Sequence, residues 1–289
     1  MAETDPSATE PQYHIALRPG DVGRYVLLPG DPGRVEVIAR HFEDPVFVAA
    51  NREFVTWTGT LDGVPVACTS TGIGCPSTAI AVEELVAIGA DTFIRVGTSG
   101  AIQPDIVTGE LGVITGAIRD EGTSHQYLPP EYPAVADIDV TAALRAGALA
   151  SGYPFRLGIA QSKDSFFGQH APDRMPVGPE LHRRWAAWTA GGAICSEMEA
   201  AALYIVAATL RVRAGGVMLI FGNLGGRQMT PEERVAGDIE RVIEASIAGL
   251  RILIAEDVAR DRVLAGARDA RSGRDALGVR DALSDRGAR

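Results

Sequence analysis

The sequence predicts an α/β fold: a mixed, largely parallel sheet flanked by helices. Three observations predict it. Short apolar runs of strand length recur, at residues 25–28, 93–97 and 214–221, as strands buried on both faces require. Several run into glycine-bearing turns that open helical patterns. The order strand, helix, three strands, helix, strand over residues 25–97 calls for parallel crossovers around one hairpin. No repeat or linker divides the 289 residues, so one large α/β domain accommodates them.

Hydrophobic residues make up 46% of the chain and charged ones 22%, a composition that buries a sizeable core and excludes a wholly disordered chain. The net charge of −10 excludes a broad nucleic-acid or anionic-membrane surface, so any phosphate must meet a local cluster of positive groups. Lys163 is the only lysine, and anions will therefore be met almost entirely by planar arginine forks. Cys68, Cys75 and Cys195 are odd in number and lack metal-type spacing, which fits a reduced, cytoplasmic setting. The acidic, polar start is no signal peptide, and the longest largely apolar run, residues 200–210, is too short to span a bilayer.

Residues 1–12 read as a flexible polar arm, and His14 follows it. Strand 25–28 leads into Pro29-Gly30-Asp31-Pro32-Gly33-Arg34 and a short helix. Strand, glycine turn, helix start presents N–H groups to an anion, although Asp31 as an ordinary N-cap explains the turn equally well. The turn has neither the Lys-Ser/Thr of a P-loop nor a dinucleotide fingerprint. A strand near 46–48 precedes two more, at 54–61 and 64–68, joined through Asp62-Gly63, a strong hairpin signal. Pro76 suits the first turn of a helix over 79–88. Strand 111–115 precedes a long proline-bearing loop, 119–137, of a length that is functional or mobile in most compact domains. Helix 140–151 and strand 155–160 follow, then a loop in which Phe166 and Phe167 either pack beneath the chain or stack on a flat ring. Helix 181–189, strand 193–195, helix 200–211, strand 214–221 and a helix from 231 to about 257 complete the domain. Ser196-x-x-Glu199 fits a capping box for helix 200–211. Residues 258–289 form a charged tail that is a solvated helix or disordered.

The stretch Phe93-Ile94-Arg95-Val96-Gly97-Thr98-Ser99-Gly100 stands out. An Arg inside a buried apolar strand needs a partner, and the strand ends in backbone N–H groups and two hydroxyls that can meet an anion. Alone, the octet also fits a turn whose Arg snorkels to solvent.

Read together, several motifs carry a resemblance. They are Pro29-Gly-Asp-Pro-Gly-Arg34, Arg52-Glu-Phe54, Ser70-Thr-Gly-Ile-Gly74 with Pro76-Ser-Thr78, Arg95-Val-Gly-Thr-Ser-Gly-Ala-Ile-Gln-Pro104, Tyr132-Pro-Ala-Val-Ala-Asp137 and Glu197-Met-Glu199. In this order, over roughly residues 13–255, the chain resembles the hexameric nucleoside phosphorylase family, on its uridine-cleaving side. The resemblance implies one α/β/α domain, residues 13–257, with a twisted mixed central sheet, assembled as dimers into a ring. It implies phosphate-dependent cleavage of the N-glycosidic bond of uridine, or of a related, 5′-modified, pyrimidine nucleoside. Inorganic phosphate is then a co-substrate and no organic cofactor is needed. By the same resemblance Gly30, Arg34, Arg95 and Thr98 bind phosphate with Arg52 from a neighbouring subunit, and Arg95, Glu199 and Thr98 are the catalytic set. Glu199 and Met198 hold the ribose with a neighbour's His14, while Ser99, Gly100, Phe166 and Gln169 meet the base. Glu53, Ile73 and Ser77 match a site for K+ or Na+ at the dimer interface.

The chemistry suits these residue types. Breaking the bond leaves a ribosyl group resembling an oxocarbenium ion. Phosphate is already anionic, so it needs positive forks to position it rather than a general base. The base end departs from the family pattern. Gln169 is kept, but His170-Ala171 replace the acidic residue and Arg that should follow, and Leu224 stands where the family has another Arg. Arg174 and Arg227 are the arginines at hand to substitute. Discrimination at the 4-position of the ring is expected to be looser. A hydrolytic nucleosidase on the same fold has no use for three phosphate arginines, and a non-catalytic binder has none for Glu199.

Overall fold

The computed structural model describes residues 10–223 and 238–284, of which residues 223 and 266–284 are described by backbone alone. β1 (Tyr25–Leu28) runs through a 3-10 turn into α1 (Val35–Ala39). β2 (Glu43–Asn51), β3 (Phe54–Leu61) and β4 (Val64–Thr69) form an antiparallel meander. Asp62 and Gly63 both have positive φ, 53° and 74°, as a hairpin turn in this sequence requires. α2 (Cys75–Ala87), β5 (Thr92–Ala101), β6 (Leu111–Asp120), β7 (Ala134–Val135), α3 (Ile138–Ser151) and β8 (Phe155–Lys163) follow. The chain continues through α4 (Phe166–His170), α5 (Gly178–Ala190), β9 (Cys195–Glu197), α6 (Ala200–Leu210), β10 (Arg213–Asn223) and α7 (Glu240–Ser284).

The ten strands form one mixed sheet. β5 is its centre, pairing in parallel with β10 along one edge and with β1 along the start of the other. β1, β4, β3 and β2 extend as a wing. β10 also pairs with β6, β6 with β8, β8 with β9, and β9 returns to β5, so five strands close a ring. Side chains alternate between two cores. Val26, Leu28, Phe93 and Met218 face α2 and α6. Tyr25, Leu27, Ile94, Val96, Val217 and Leu219 face α1, α3 and α7. The result is three layers, α/β/α, the fold class expected.

Two expectations are corrected by the packing. The segment after β6 is tied down rather than open. Arg119 donates to the carbonyls of Ser124, Leu128, Pro129 and Tyr132, and β7 pairs with β6. The predicted capping box does not form. The N–H groups of Glu199 and Ala200 go instead to Glu197 Oε2, at 2.8 and 2.9 Å, and that of Ala201 to Ser162 Oγ at 2.9 Å. Ser196 and Glu199 are thereby free for other partners.

Candidate active site

β5 changes partners on one edge, and the site opens at that change. β1 accompanies it as far as Leu28 opposite Arg95, and β9 joins only at Gly100 and Ala101. Residues 96–99 therefore face a gap in the sheet, a position where open α/β folds bind ligands. A cleft of about 1720 Å³ lies there. It is lined by Gly30 and Arg34 after β1, by Gly72, Ile73 and Ser77 at the start of α2, by residues of β5 and β9, and by α4 and α5.

Arg95 sits on the face of β5 that carries Phe93, where the alternating pattern calls for an apolar residue facing α6. It is 5% exposed. Gly97, two residues on, makes the room: a Cβ there would lie 2.6 Å from Met218 Sδ and 3.2 Å from Arg95 Cζ. Arg95 Nε donates to Glu197 Oε2 at 3.0 Å, and Nη2 bonds Glu199 Oε2. Nη1 is buried with no partner among the described residues. Burial pulls the Arg95 pKa down, but Glu199 and Glu197 outweigh it and raise it. The guanidinium is therefore a fixed charge with one donor nitrogen unspent.

Arg34 approaches from the other wall, reached through a turn in which Asp31 caps Gly33 at 2.8 Å. Burial lowers the Arg34 pKa, Asp31 opposes that, and the charge of Arg95 adds to it. Two guanidinium groups that repel each other across a glycine-lined gap form a place for an anion. Glu199 accepts from the N–H of Gly74 at 2.6 Å and of Met198 at 3.2 Å. Its pKa is raised, by burial first and then by Glu197, against the pull of Arg95.

The far end of the cleft is polar and aromatic. Lys163 Nζ donates to Ser196 Oγ at 2.8 Å, and that oxygen lies 2.5 Å from Gln161 Oε1 and 2.7 Å from the Gln169 amide. Burial lowers the Lys163 pKa against Glu197 and Glu199. Phe166 is 50% exposed and stacks on His170 with centroids 4.1 Å apart, so it does not pack beneath the loop. Trp185, Trp188 and Arg184 close this end from α5, and Arg184 bonds Asp120.

The structure thus gathers Gly30, Arg34, Arg95, Thr98, Ser99, Gly100, Met198, Glu199, Phe166 and Gln169 around one cleft, with Glu53, Ile73 and Ser77 at its rim. His14 and Arg52 are not among the lining residues. They lie together elsewhere: Asn51 Nδ2 donates to the His14 carbonyl at 2.8 Å, and Arg52 and His14 both lie against the Tyr13 ring. Arg174 sits over Phe167, outside the lining, while Leu224 and Arg227 fall outside the described residues. Sequence reasoning missed the roles of Glu197, which orients Arg95 and caps α6, and of Lys163, Ser196, Gln161 and Arg184 at the far end of the cleft. The available signal was the lone lysine at a strand end.

Residues 24–255 match the phosphorylase superfamily. The uridine phosphorylase of Treponema pallidum is 51% identical over 253 residues, 88% of this chain and 98% of that protein. That of Thermococcus kodakarensis is 47% identical over 276 residues, 93% and 97% of the two chains. The guanosine phosphorylase of Halorubrum lacusprofundi is 36% identical over 249 residues, 84% and 99%. With a family match across most of its length and relatives aligned nearly end to end, this chain belongs to the phosphorylase superfamily.

Proposed function

We propose that this chain cleaves the N-glycosidic bond of uridine, or of a related, 5′-modified pyrimidine nucleoside, with inorganic phosphate, giving free base and ribose 1-phosphate. The unspent Nη1 of Arg95, buried in the cleft beside Arg34 and Gly30, carries this reading. It wants an anionic acceptor there. The uridine phosphorylase relatives support the substrate.

In this reading Gly30, Arg34, Arg95 and Thr98 hold phosphate with Arg52 of the partner subunit. Glu199 and Met198 hold the ribose with His14 of the partner subunit. Glu199 takes the ribose hydroxyls and favours the positive charge that develops on the sugar ring. A phosphate oxygen forms the new bond to C1′ as the bond to the base nitrogen breaks, its electron pair leaving with the base. Ser99, Gly100, Phe166 and Gln169 receive the base. No organic cofactor takes part. The Glu53 carboxylate, Ile73 carbonyl and Ser77 hydroxyl are all oxygen donors and suit K+ or Na+; Ser77 Oγ lies 3.5 Å from the Ile73 carbonyl. The catalytic domain is residues 13–257, with the arm 1–12 and the tail 258–289 outside it. It acts in the cytoplasm as a homodimer with shared sites, assembled into a hexamer. No helix among the described residues is long and apolar enough to cross a membrane.

The test is uridine with and without phosphate, reading free uracil and ribose 1-phosphate. Cleavage that depends on phosphate or arsenate is expected. Free ribose released at an undiminished rate without phosphate would make the chain a hydrolytic nucleosidase, and no cleavage of uridine or of a 5′-modified uridine in either buffer would make it a binder.

A further inference from the structure

The base end of the cleft holds a hydrogen-bond relay that the reaction above leaves unused. Gln161 is 1% exposed and Lys163 5%, both on β8. Ser196 on β9 lies between them and Gln169 on α4. Gln161 Nε2 donates to Asp120 Oδ2 at 2.7 Å, and Asp120 also takes Arg184.

Counting protons fixes the orientation of Gln169. A serine hydroxyl has one proton and two lone pairs. Lys163, a donor only, fills one lone pair of Ser196. Gln161 has its amide nitrogen committed to the Asp120 carboxylate, so its Oε1 faces Ser196 and takes the single proton, at 2.5 Å. One lone pair remains for Gln169. Only an N–H can use it, since a carbonyl there would face oxygen with no proton between them. Amide nitrogen and oxygen are told apart by such a network. The Gln169 amide atom 2.7 Å from Ser196 Oγ, placed as Oε1, is therefore assigned as the nitrogen. Its carbonyl oxygen takes the other amide position, which is buried without a partner among the described residues. Turning the amide back would strand the buried Gln161 oxygen, and stranded buried acceptors are costly.

We infer that Gln161 is a positioning residue for base specificity: through Ser196, with Lys163 saturating the hydroxyl, it holds Gln169 so that a carbonyl oxygen meets the base. This rests on the phosphorolytic reading above and deepens it. A fixed acceptor wants a ring N–H. Uracil offers one at N3, and a 6-oxopurine offers one at N1. Cytosine N3 and adenine N1 carry lone pairs and meet the acceptor head-on. The site selects bases by the proton on the ring nitrogen, not by the atom at the neighbouring ring position.

The panel that tests this is uridine, 4-thiouridine, cytidine and 3-methyluridine at saturating phosphate. 4-Thiouridine keeps the N3 proton and changes the 4-position, whereas 3-methyluridine keeps the 4-position and loses the proton. In the unmodified enzyme, kcat/KM for uridine and 4-thiouridine should agree within about tenfold, with cytidine and 3-methyluridine lower by at least about 100-fold. Gln161→Met frees the Ser196 proton, so the amide can turn and offer its nitrogen to cytosine. The uridine-to-cytidine ratio should then fall by at least about tenfold, with the KM for phosphate unchanged. Ser196→Ala removes the hydroxyl and should lower the ratio likewise, which keeps the test open if Gln161→Met fails to fold. Cytidine cleaved within tenfold of uridine by the unmodified enzyme, or an unchanged ratio in either folded variant, overturns the relay while phosphorolysis stands. No phosphorolysis of any of the four nucleosides, nor of a 5′-modified uridine, overturns the proposed function and the relay with it.

Discussion

Burial raises the pKa of Glu199 above the ordinary carboxylate value, and Glu197 adds to the shift, while Arg95 and two backbone N–H groups oppose it. The sign of the consequence follows from linkage. A carboxyl raised in the folded state holds its proton more tightly than in the unfolded chain. Its contribution to stability is therefore fully present below the unfolded pKa and is lost as pH rises through the folded one. Above that range an ionised Glu199 forfeits this contribution, and the proposed sugar-binding role accounts for its being there. Glu199→Gln should thus raise Tm at pH 7 by a few degrees while lowering kcat by at least about 100-fold. Thermal melts at pH 7 and pH 4 check it: the gain should shrink at pH 4, and a lower Tm at pH 7 would mean that the Arg95 pairing outweighs burial. Arg95 was legible in the sequence because an arginine in a buried strand demands a partner, and Glu199 only through the Glu197-Met-Glu199 motif and the resemblance it helps to carry. Glu197 was not, because Ser196-x-x-Glu199 fits a helix cap so well that the neighbouring carboxylate needed no role.

At the scale of elements, local signals were read where they are complete in the chain. Asp62-Gly63 specifies its hairpin, and Asp137 caps α3 through the N–H of Val140 at 3.0 Å. The closure of β5, β10, β6, β8 and β9 into a ring was not legible, since it rests on pairings between residues 94 to 122 positions apart. The order in the segment after β6 was not legible either, since it hangs on the Arg119 side chain and on the pairing of β7 with β6. Helix packing supplies a test of the outer layer. α3 and α7 cross where Gly147 meets Gly249: a Cβ on Gly147 would lie 2.3 Å from Gly249 N and 2.4 Å from the Ala245 carbonyl. The obstacles are backbone and cannot swing aside. Alanine improves helix propensity by up to ~1 kcal/mol, but overpacking costs more. Gly147→Ala should destabilise the protein by about 1–3 kcal/mol in denaturant unfolding. An unchanged midpoint would show that the two helices separate freely.

At the scale of the whole molecule, Arg52 and His14 lie outside the cleft of their own chain. Arg34 and Arg95 line the cleft, but Arg52 stands at the tip of the β2–β3 hairpin with φ at 55°, exposed and resting on Tyr13. His14 is beside it, its Nδ1 2.6 Å from Glu84 Oε1. Both belong to a patch whose Tyr13 is 74% exposed, and Ile73 at the rim of the cleft is 79% exposed. Large apolar side chains left so open in two places support the proposed dimer. In the proposed two-fold dimer each protomer gives its patch to the partner's cleft and receives the same in return. Arg52→Ala and Glu199→Ala should each be inactive alone. Mixed, they form dimers in which the Arg52→Ala chain keeps an intact cleft and takes its third arginine from the Glu199→Ala chain. One of the two sites in such a dimer is then complete. Random exchange between equal amounts makes half of the dimers mixed, so roughly a quarter of the sites should recover. The measurement is phosphorolysis after subunit exchange, with exchange itself followed by mass on tagged chains. Recovery near that fraction places Arg52 in the partner's site. Complete exchange without recovery would mean that Arg52 serves the cleft of its own chain and that the hairpin tip moves to reach it.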